Sequence, residues 1–143
     1  EEALLGHQAV AFAGAIGQPD QRAGELPCVY VELVEGATVT PDELSQFCVE
    51  TVKEKAALPK HVEILDELPK TAVGKVFKPD LRKRAIIRVF SETLDSSSIN
   101  ASITSVDDDK KLGLVANISS NEDDDSINQV LGDFTIPWQR ASN

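Results

Sequence analysis

Hydrophobic and polar positions follow two different periods along this chain, and the changes of period divide it into elements. Residues 1–6 read as a short helical stretch closed by Gly6. The apolar run at 9–16, rich in small side chains, predicts a buried strand that Gly17, Pro19 and Asp20 interrupt. After a loop at 21–26, residues 27–34 place Val29, Val31 and Leu33 on one face of a second strand, with Pro27 tolerated at its first position. Thr40-Pro41-Asp42-Glu43 then carries the chemistry of a helix start. Threonine suits the N-cap, proline the first helical position and Glu43 the other half of a capping box, while Val39 can staple onto Leu44. Leu44, Phe47, Cys48 and Val52 recur at helical spacing as an apolar stripe, and Pro59 stands past the helix end.

Val62, Ile64 and Leu65 predict a short third strand, and a helix over 78–94 gathers Leu81, Ala85, Val89, Phe90 and Leu94 on one face. The pattern changes at the serine-rich link 95–98. Beyond it the chain reads as a strand at 99–106, an acidic turn at 107–111, a strand at 112–119, a helix at 126–134 capped by Ser126, and a terminal strand near 135–138. The expected fold is α+β, with a mixed sheet flanked by helices over 1–94 and a C-terminal hairpin, helix and strand over 95–143. Fewer than about 50 residues bury too little apolar surface to fold alone, so this extension is expected to pack on the first part.

Composition narrows the class without changing the elements. With 143 residues, 41% of them hydrophobic and 5% aromatic, the chain fits one soluble domain with an appendage. No apolar run approaches the roughly 20 residues of a membrane helix, so no transmembrane segment is expected. The start at Glu1, inside helix-like sequence and without a leader pattern, reads as a piece of a longer chain. Cys28 and Cys48 have apolar neighbours and read as buried free thiols, which suits a reducing, cytoplasmic setting. His7 and His61 lack partners at metal-site spacing, and the acidic runs at 107–109 and 122–125 lack the glycine and glutamate of a calcium loop, so no metal site is expected.

Charge is the property that singles out one segment. Residues 1–69 carry a net −9 and residues 89–143 a net −7, whereas 70–88 carry +6 through Lys70, Lys75, Lys78, Arg82, Lys83, Arg84 and Arg88 against Asp80. An acidic whole argues against nucleic-acid binding, while a local basic island can receive a small phosphate-bearing molecule. For Arg82 to Arg88, a solvated helix face is an equally good reading.

Within that island Gly74-Lys75 invites comparison with a nucleotide-binding Walker loop. That loop needs another glycine where this chain has Pro69, and serine or threonine where it has Val76, so the comparison fails. What remains is a lysine on a loop between an apolar strand and a helix, beside a glycine free to adopt unusual backbone angles. On the residues alone such a lysine is more often a plain surface residue, yet a long, flexible cation so placed also suits the attack of a carboxylate on the α-phosphate of ATP. Both reactants are anionic, and one ammonium between them lowers their repulsion and fixes the line of attack.

The run Leu68-Pro69-Lys70-Thr71-Ala72-Val73-Gly74-Lys75, followed by Leu81-Arg82 in the next helix, resembles the last core motif of the adenylate-forming enzymes, above all the AMP-forming acyl-CoA synthetases. Glu1-Glu2, His7-Gln8-Ala9-Val10, Gly17-Gln18-Pro19-Asp20 and Gly24-Glu25-Leu26-Pro27 are similar to the opening of that family's small C-terminal domain, in the family's order over 1–94. The resemblance implies a mobile lid domain that closes on an N-terminal adenylate-forming domain of the same polypeptide. It implies Lys75 as the catalytic cation, with Gly74 and Thr71 beside the substrate. ATP with magnesium, and CoA as co-substrate, are implied for the full-length enzyme and bound mainly by the N-terminal domain, so this piece alone is expected to be inactive. The substrate implied is a carboxylic acid, expected to be a fatty acid, activated to acyl-adenylate and passed to CoA as the lid rotates. The alternatives are the lid of a peptide-synthetase-type adenylation domain or a non-catalytic binding module on the same scaffold. Residues 95–143 are similar to a tail carried by some larger acyl-CoA synthetases.

Overall fold

The computed structural model describes residues 1–141. The elements run α1 (Glu2–Leu5), β1 (Val10–Asp20), β2 (Gly24–Leu33), α2 (Pro41–Thr51), β3 (His61–Ile64), α3 (Lys78–Ser96), β4 (Ala101–Asp109), β5 (Gly113–Ser120), α4 (Asp124–Leu131) and β6 (Trp138–Arg140), with a single 3-10 turn at Lys55–Ala57. They make an α+β fold with two three-stranded mixed sheets, ordered β1-β2-β3 and β4-β5-β6. By contact the described residues divide into two compact units, Glu1–Gly17 with Leu26–Arg82, and Gln18–Glu25 with residues 83–141.

In the first unit β2 is the central strand, and Cys28, Val29, Tyr30 and Val31 are buried in succession because both faces of that strand are covered. The chain leaves β2, forms α2 and returns as β3 parallel to β2, pairing Val29 with Val62 and Val31 with Ile64. Such a return needs a crossover, and α2 supplies it. The N-cap read from the sequence is present, since Thr40 Oγ1 accepts from the Glu43 N–H at 3.1 Å with Pro41 as the first helical residue. Leu44 and Cys48 then join Leu4, Val10, Ala13, Val29, Val31 and Val62 in one core.

The first strand outruns its expected end at Ile16 and continues through Pro19 to Asp20. It is an edge strand, where a missing N–H costs no ladder bond. Asp20 Oδ2 accepts from the Arg22 and Ala23 N–H groups at 3.0 and 2.8 Å, and Gly24 turns the chain at φ +83°. The loop expected at 21–26 is therefore only the turn residues 21–23, and β2 begins at Gly24.

The hairpin of β4 and β5 repeats this turn. Asp109 Oδ1 accepts from the Lys111 and Leu112 N–H groups at 2.8 and 3.0 Å, and Gly113 turns at φ +78°. Both hairpins thus use the pattern Asp-x-x-x-Gly, and both are followed by a helix and a third strand parallel to the second. The acidic residues 107–109, expected in a turn, lie within β4 and pair with β5. Asp123, not Ser126, caps α4, its Oδ1 accepting from the Ser126 N–H at 2.8 Å. An aspartate three residues upstream satisfies the same orphan donor and favours the positive end of the helix dipole. Helix α3 runs past the expected boundary at Asp95 and closes on Ser98. The core of this unit gathers Ile86, Phe90 and Leu94 of α3 with Val106, Ala116, Ile118, Ile127, Leu131 and Phe134, and the Phe90 and Phe134 rings lie 4.8 Å apart. Arg140 pins β6 by donating to Asp124 Oδ1 and to the Ser120 and Glu122 carbonyls.

Candidate functional site

The basic segment between β3 and α3 is a tight hairpin with Lys75 at its turn. Leu68 is buried and ends the approach from β3, after which Lys70 and Val76 form an antiparallel bridge. Inside the bridge the Thr71 N–H donates to the Lys75 carbonyl at 2.7 Å and the Gly74 N–H to the Thr71 carbonyl at 3.0 Å. Gly74 has φ +85°, a backbone region that costs an ordinary residue roughly 1–2 kcal/mol. The Thr71 hydroxyl accepts from the Lys75 N–H at 3.3 Å and so steadies the backbone that carries the lysine. Thr71, Gly74 and Lys75 are exposed together on this turn.

Two carboxylates of the first unit hold the hairpin at its two ends. On the entering side Glu32 Oε1 accepts from Lys70 Nζ at 2.6 Å and from the Leu68 N–H at 2.8 Å, while Lys70 Nζ also sits 4.4 Å above the Phe12 ring centre. Burial pushes the Glu32 carboxyl up, but the Lys70 ammonium and the Leu68 N–H outweigh it and leave its pKa lowered. On the leaving side Glu1 Oε2 accepts from Lys78 Nζ at 2.7 Å and from the Ala15 N–H at 2.7 Å. Its pKa is likewise lowered, burial being outweighed by Lys78 and the Ala15 N–H. Between these ends Val76 packs toward β1 at Gly14, where a Cβ would come within 2.9 Å of Val76 Cγ1 and 2.7 Å of Leu81 Cδ1.

The basic island is therefore mostly committed. Lys70 and Lys78 pair as described, Lys83 reaches Asp108 at 3.5 Å, and Arg88 binds Gln18 at 2.6 Å and Glu92 at 3.6 Å. The side chains of Lys75 and Arg82 are exposed and make no hydrogen bond or ion pair among the described residues. Lys75 combines that freedom with a fixed backbone, which is what a cation presented to an incoming ligand requires.

The other candidate chemistry is tied into local structure. His7 Nδ1 accepts from the Ala9 N–H at 3.0 Å and its ring meets Phe47 edge-on, while His61 pairs with Glu63 at 3.1 Å. Cys28 and Cys48 are buried, are not joined in a disulfide, and line a mostly apolar cavity of about 50 Å³, and burial raises the Cys48 pKa. Among the described residues no three His, Cys, Asp or Glu side chains gather into a metal-binding group. The structure brings the candidates Lys75, Gly74 and Thr71 together on one turn, and adds around it Glu32, Glu1 and Gly14, to which the sequence pattern gave no site role because their partners lie far along the chain.

Residues 1–75 match the AMP-binding enzyme C-terminal domain family. A marinolic acid–CoA ligase of Pseudoalteromonas sp. (strain SANK 73390) is 42% identical over 110 residues, which cover 76% of this chain and 17% of that protein. The crystal structure of a Brucella canis acyl-CoA synthetase superposes with a TM-score of 0.54 at 35% identity, covering 59% of this chain and 16% of the other. An amide bond synthetase from Marinactinospora thermotolerans superposes at a TM-score of 0.52 and 30% identity, covering 57% and 16% respectively. This chain spans about a sixth of the length of the relatives it matches. With more than half of its residues matched, from Glu1 to the exposed lysine of the hairpin, the chain belongs to the AMP-binding enzyme C-terminal domain family.

Proposed function

We propose that this chain is the lysine-bearing lid of an AMP-forming acyl-CoA synthetase, working with an N-terminal adenylate-forming domain of the same polypeptide. The observation that carries the reading is Lys75, exposed and without a partner on a hairpin whose ends are fixed by Glu32 and Glu1. In the first half-reaction a substrate carboxylate oxygen attacks the α-phosphorus of ATP. The new O–P bond makes the acyl-adenylate, and the bond from the α-phosphorus to the bridging oxygen breaks to release pyrophosphate. The Lys75 ammonium, a compact point charge on a mobile stem, offsets the repulsion between the two anions and the charge that builds on the α-phosphate. Gly74 and Thr71, exposed beside it, form the substrate-facing surface of the turn.

The acyl-adenylate then passes to CoA. The CoA-ligase name of the 42% identical relative favours that acceptor, whereas the amide bond synthetase keeps a similar domain under a name that specifies another product. A lid that serves adenylation and then rotates is an ordinary gating device for two-step chemistry. Magnesium would arrive with ATP on the N-terminal domain, since the described residues here offer no donor cluster for it, and no step is assigned to it on this chain. The names of the relatives given above do not agree on one acid, so the acid is assigned to the carboxylic class, with a fatty acid as the specific proposal. Two buried thiols that share no disulfide fit a reducing compartment, and the cytoplasm is proposed on that ground. Residues 95–143 are proposed as a tail added to the lid.

Acid-dependent exchange of pyrophosphate into ATP by the full-length protein tests the reading. Lys75→Ala should lower it by about two to three orders of magnitude, the size of losing one preorganised charge contact. Undiminished exchange contradicts the assignment.

A further inference from the structure

The Glu32–Lys70 pair ties down the stem of the hairpin, with Lys70 five residues before Lys75. Both side chains are largely covered, at 17% and 19% exposure, and the pair closes at 2.6 Å. Glu32 lies in β2, the central strand of the first sheet, so it ties the hairpin to a strand that is paired on both sides. One carboxylate oxygen takes both the Lys70 ammonium and the Leu68 N–H, and Lys70 is held on its other side by the Phe12 ring and the Leu68 carbonyl. Lys70 is also the stem residue that bridges Val76. Fixing Lys70 therefore fixes the strand pair from which the Lys75 turn projects.

We propose that Glu32 is a positioning residue for acyl-adenylate formation, acting through Lys70 and the hairpin stem to hold the Lys75 backbone in place. The proposal rests on the assignment of Lys75 made above. Reactions governed by placement lose rate when a supporting contact far from the chemistry is loosened, by up to about a hundredfold for a shift of about 1 Å. Glu32→Gln suits the test, because the amide oxygen can still accept from the Leu68 N–H while the charge that holds Lys70 is gone. Removing one member of a covered ion pair leaves the other charge uncompensated, so Lys70 should leave its place over Phe12.

In the full-length protein, Glu32→Gln should lower kcat for acid-dependent ATP–pyrophosphate exchange by about tenfold to a hundredfold. KM for ATP and thioester formation from supplied acyl-adenylate should each stay within about twofold, and Glu32→Asp should restore part of the lost kcat. Lys70→Gln should reproduce the Glu32→Gln profile from the other side of the pair. An exchange rate within about twofold of the parent in both variants, an equal loss in both half-reactions, or variants that do not fold would each overturn the positioning role. Lys75→Ala measured alongside separates the two ideas. Exchange lost there but kept in Glu32→Gln overturns only the positioning role, whereas exchange kept in Lys75→Ala removes the reading beneath it.

Discussion

Gly74 and Ser98 occupy the same left-handed backbone region, at φ +85° and +59°, and the side chain at each position fits it differently. Gly74 turns the lysine hairpin at no steric cost. Ser98 closes α3 in the position where glycine usually stands, with the Ile99 N–H donating to the Leu94 carbonyl at 2.9 Å and the Ser98 N–H to the Asp95 carbonyl at 3.1 Å. The two substitutions should therefore act with opposite signs. Ser98→Gly should raise stability by about 0.5–1 kcal/mol and Gly74→Ala should lower it by about 1–2 kcal/mol, read from urea midpoints at constant m. A destabilising Ser98→Gly would contradict this account of the helix end. At this scale the sequence is informative wherever one residue suffices: a glycine before a lysine announces a turn, and Thr40 announces a cap. It is silent on Gly14, because the Val76 and Leu81 side chains that need its bare backbone are 62 or more residues away.

The hairpin is held as an element by two carboxylates, and acid should loosen it. Glu32 and Glu1 both have lowered pKa values, because lysine and backbone donors outweigh the upward push of burial. A carboxyl depressed in the folded state contributes stability above its unfolded pKa of about 4 and loses it as pH falls through the lower folded value. Thermal stability should thus drop below about pH 4, and Glu32→Gln should flatten part of that drop when melting is followed by circular dichroism from about pH 7 down to pH 2. An acid limb unchanged by Glu32→Gln would separate this carboxylate from the hold on the hairpin. Most element types were legible, since the stripe of α2 and the apolar face of α3 are local patterns. Element ends were less so. The edge position that lets β1 continue through Pro19, and the Asp109 turn that leaves 107–109 paired in β4, depend on which strand lies alongside. The Glu32–Lys70 pair joins residues 38 positions apart, and no spacing rule finds it.

Over the whole molecule one topology occurs twice, helix, hairpin, helix and parallel third strand, as α1-β1-β2-α2-β3 and again as α3-β4-β5-α4-β6. Each copy turns its hairpin with Asp-x-x-x-Gly, at Asp20 to Gly24 and at Asp109 to Gly113. The family match covers residues 1–75, whereas the marinolic acid–CoA ligase alignment covers 76% of the chain and so must extend past residue 94 into the second copy. On the proposed reading the division of labour lies between this chain and a domain outside it. The isolated chain should fold and show no acid-dependent ATP–pyrophosphate exchange. Exchange by the chain alone would place the ATP site here.

The most direct test of the central claim compares the two half-reactions of full-length Lys75→Ala with those of its parent. Pyrophosphate exchange should fall by about two to three orders of magnitude, while thioester formation from supplied acyl-adenylate should stay within about twofold. A loss of the same size in both half-reactions would contradict the role given to Lys75, and so would exchange at the parental rate.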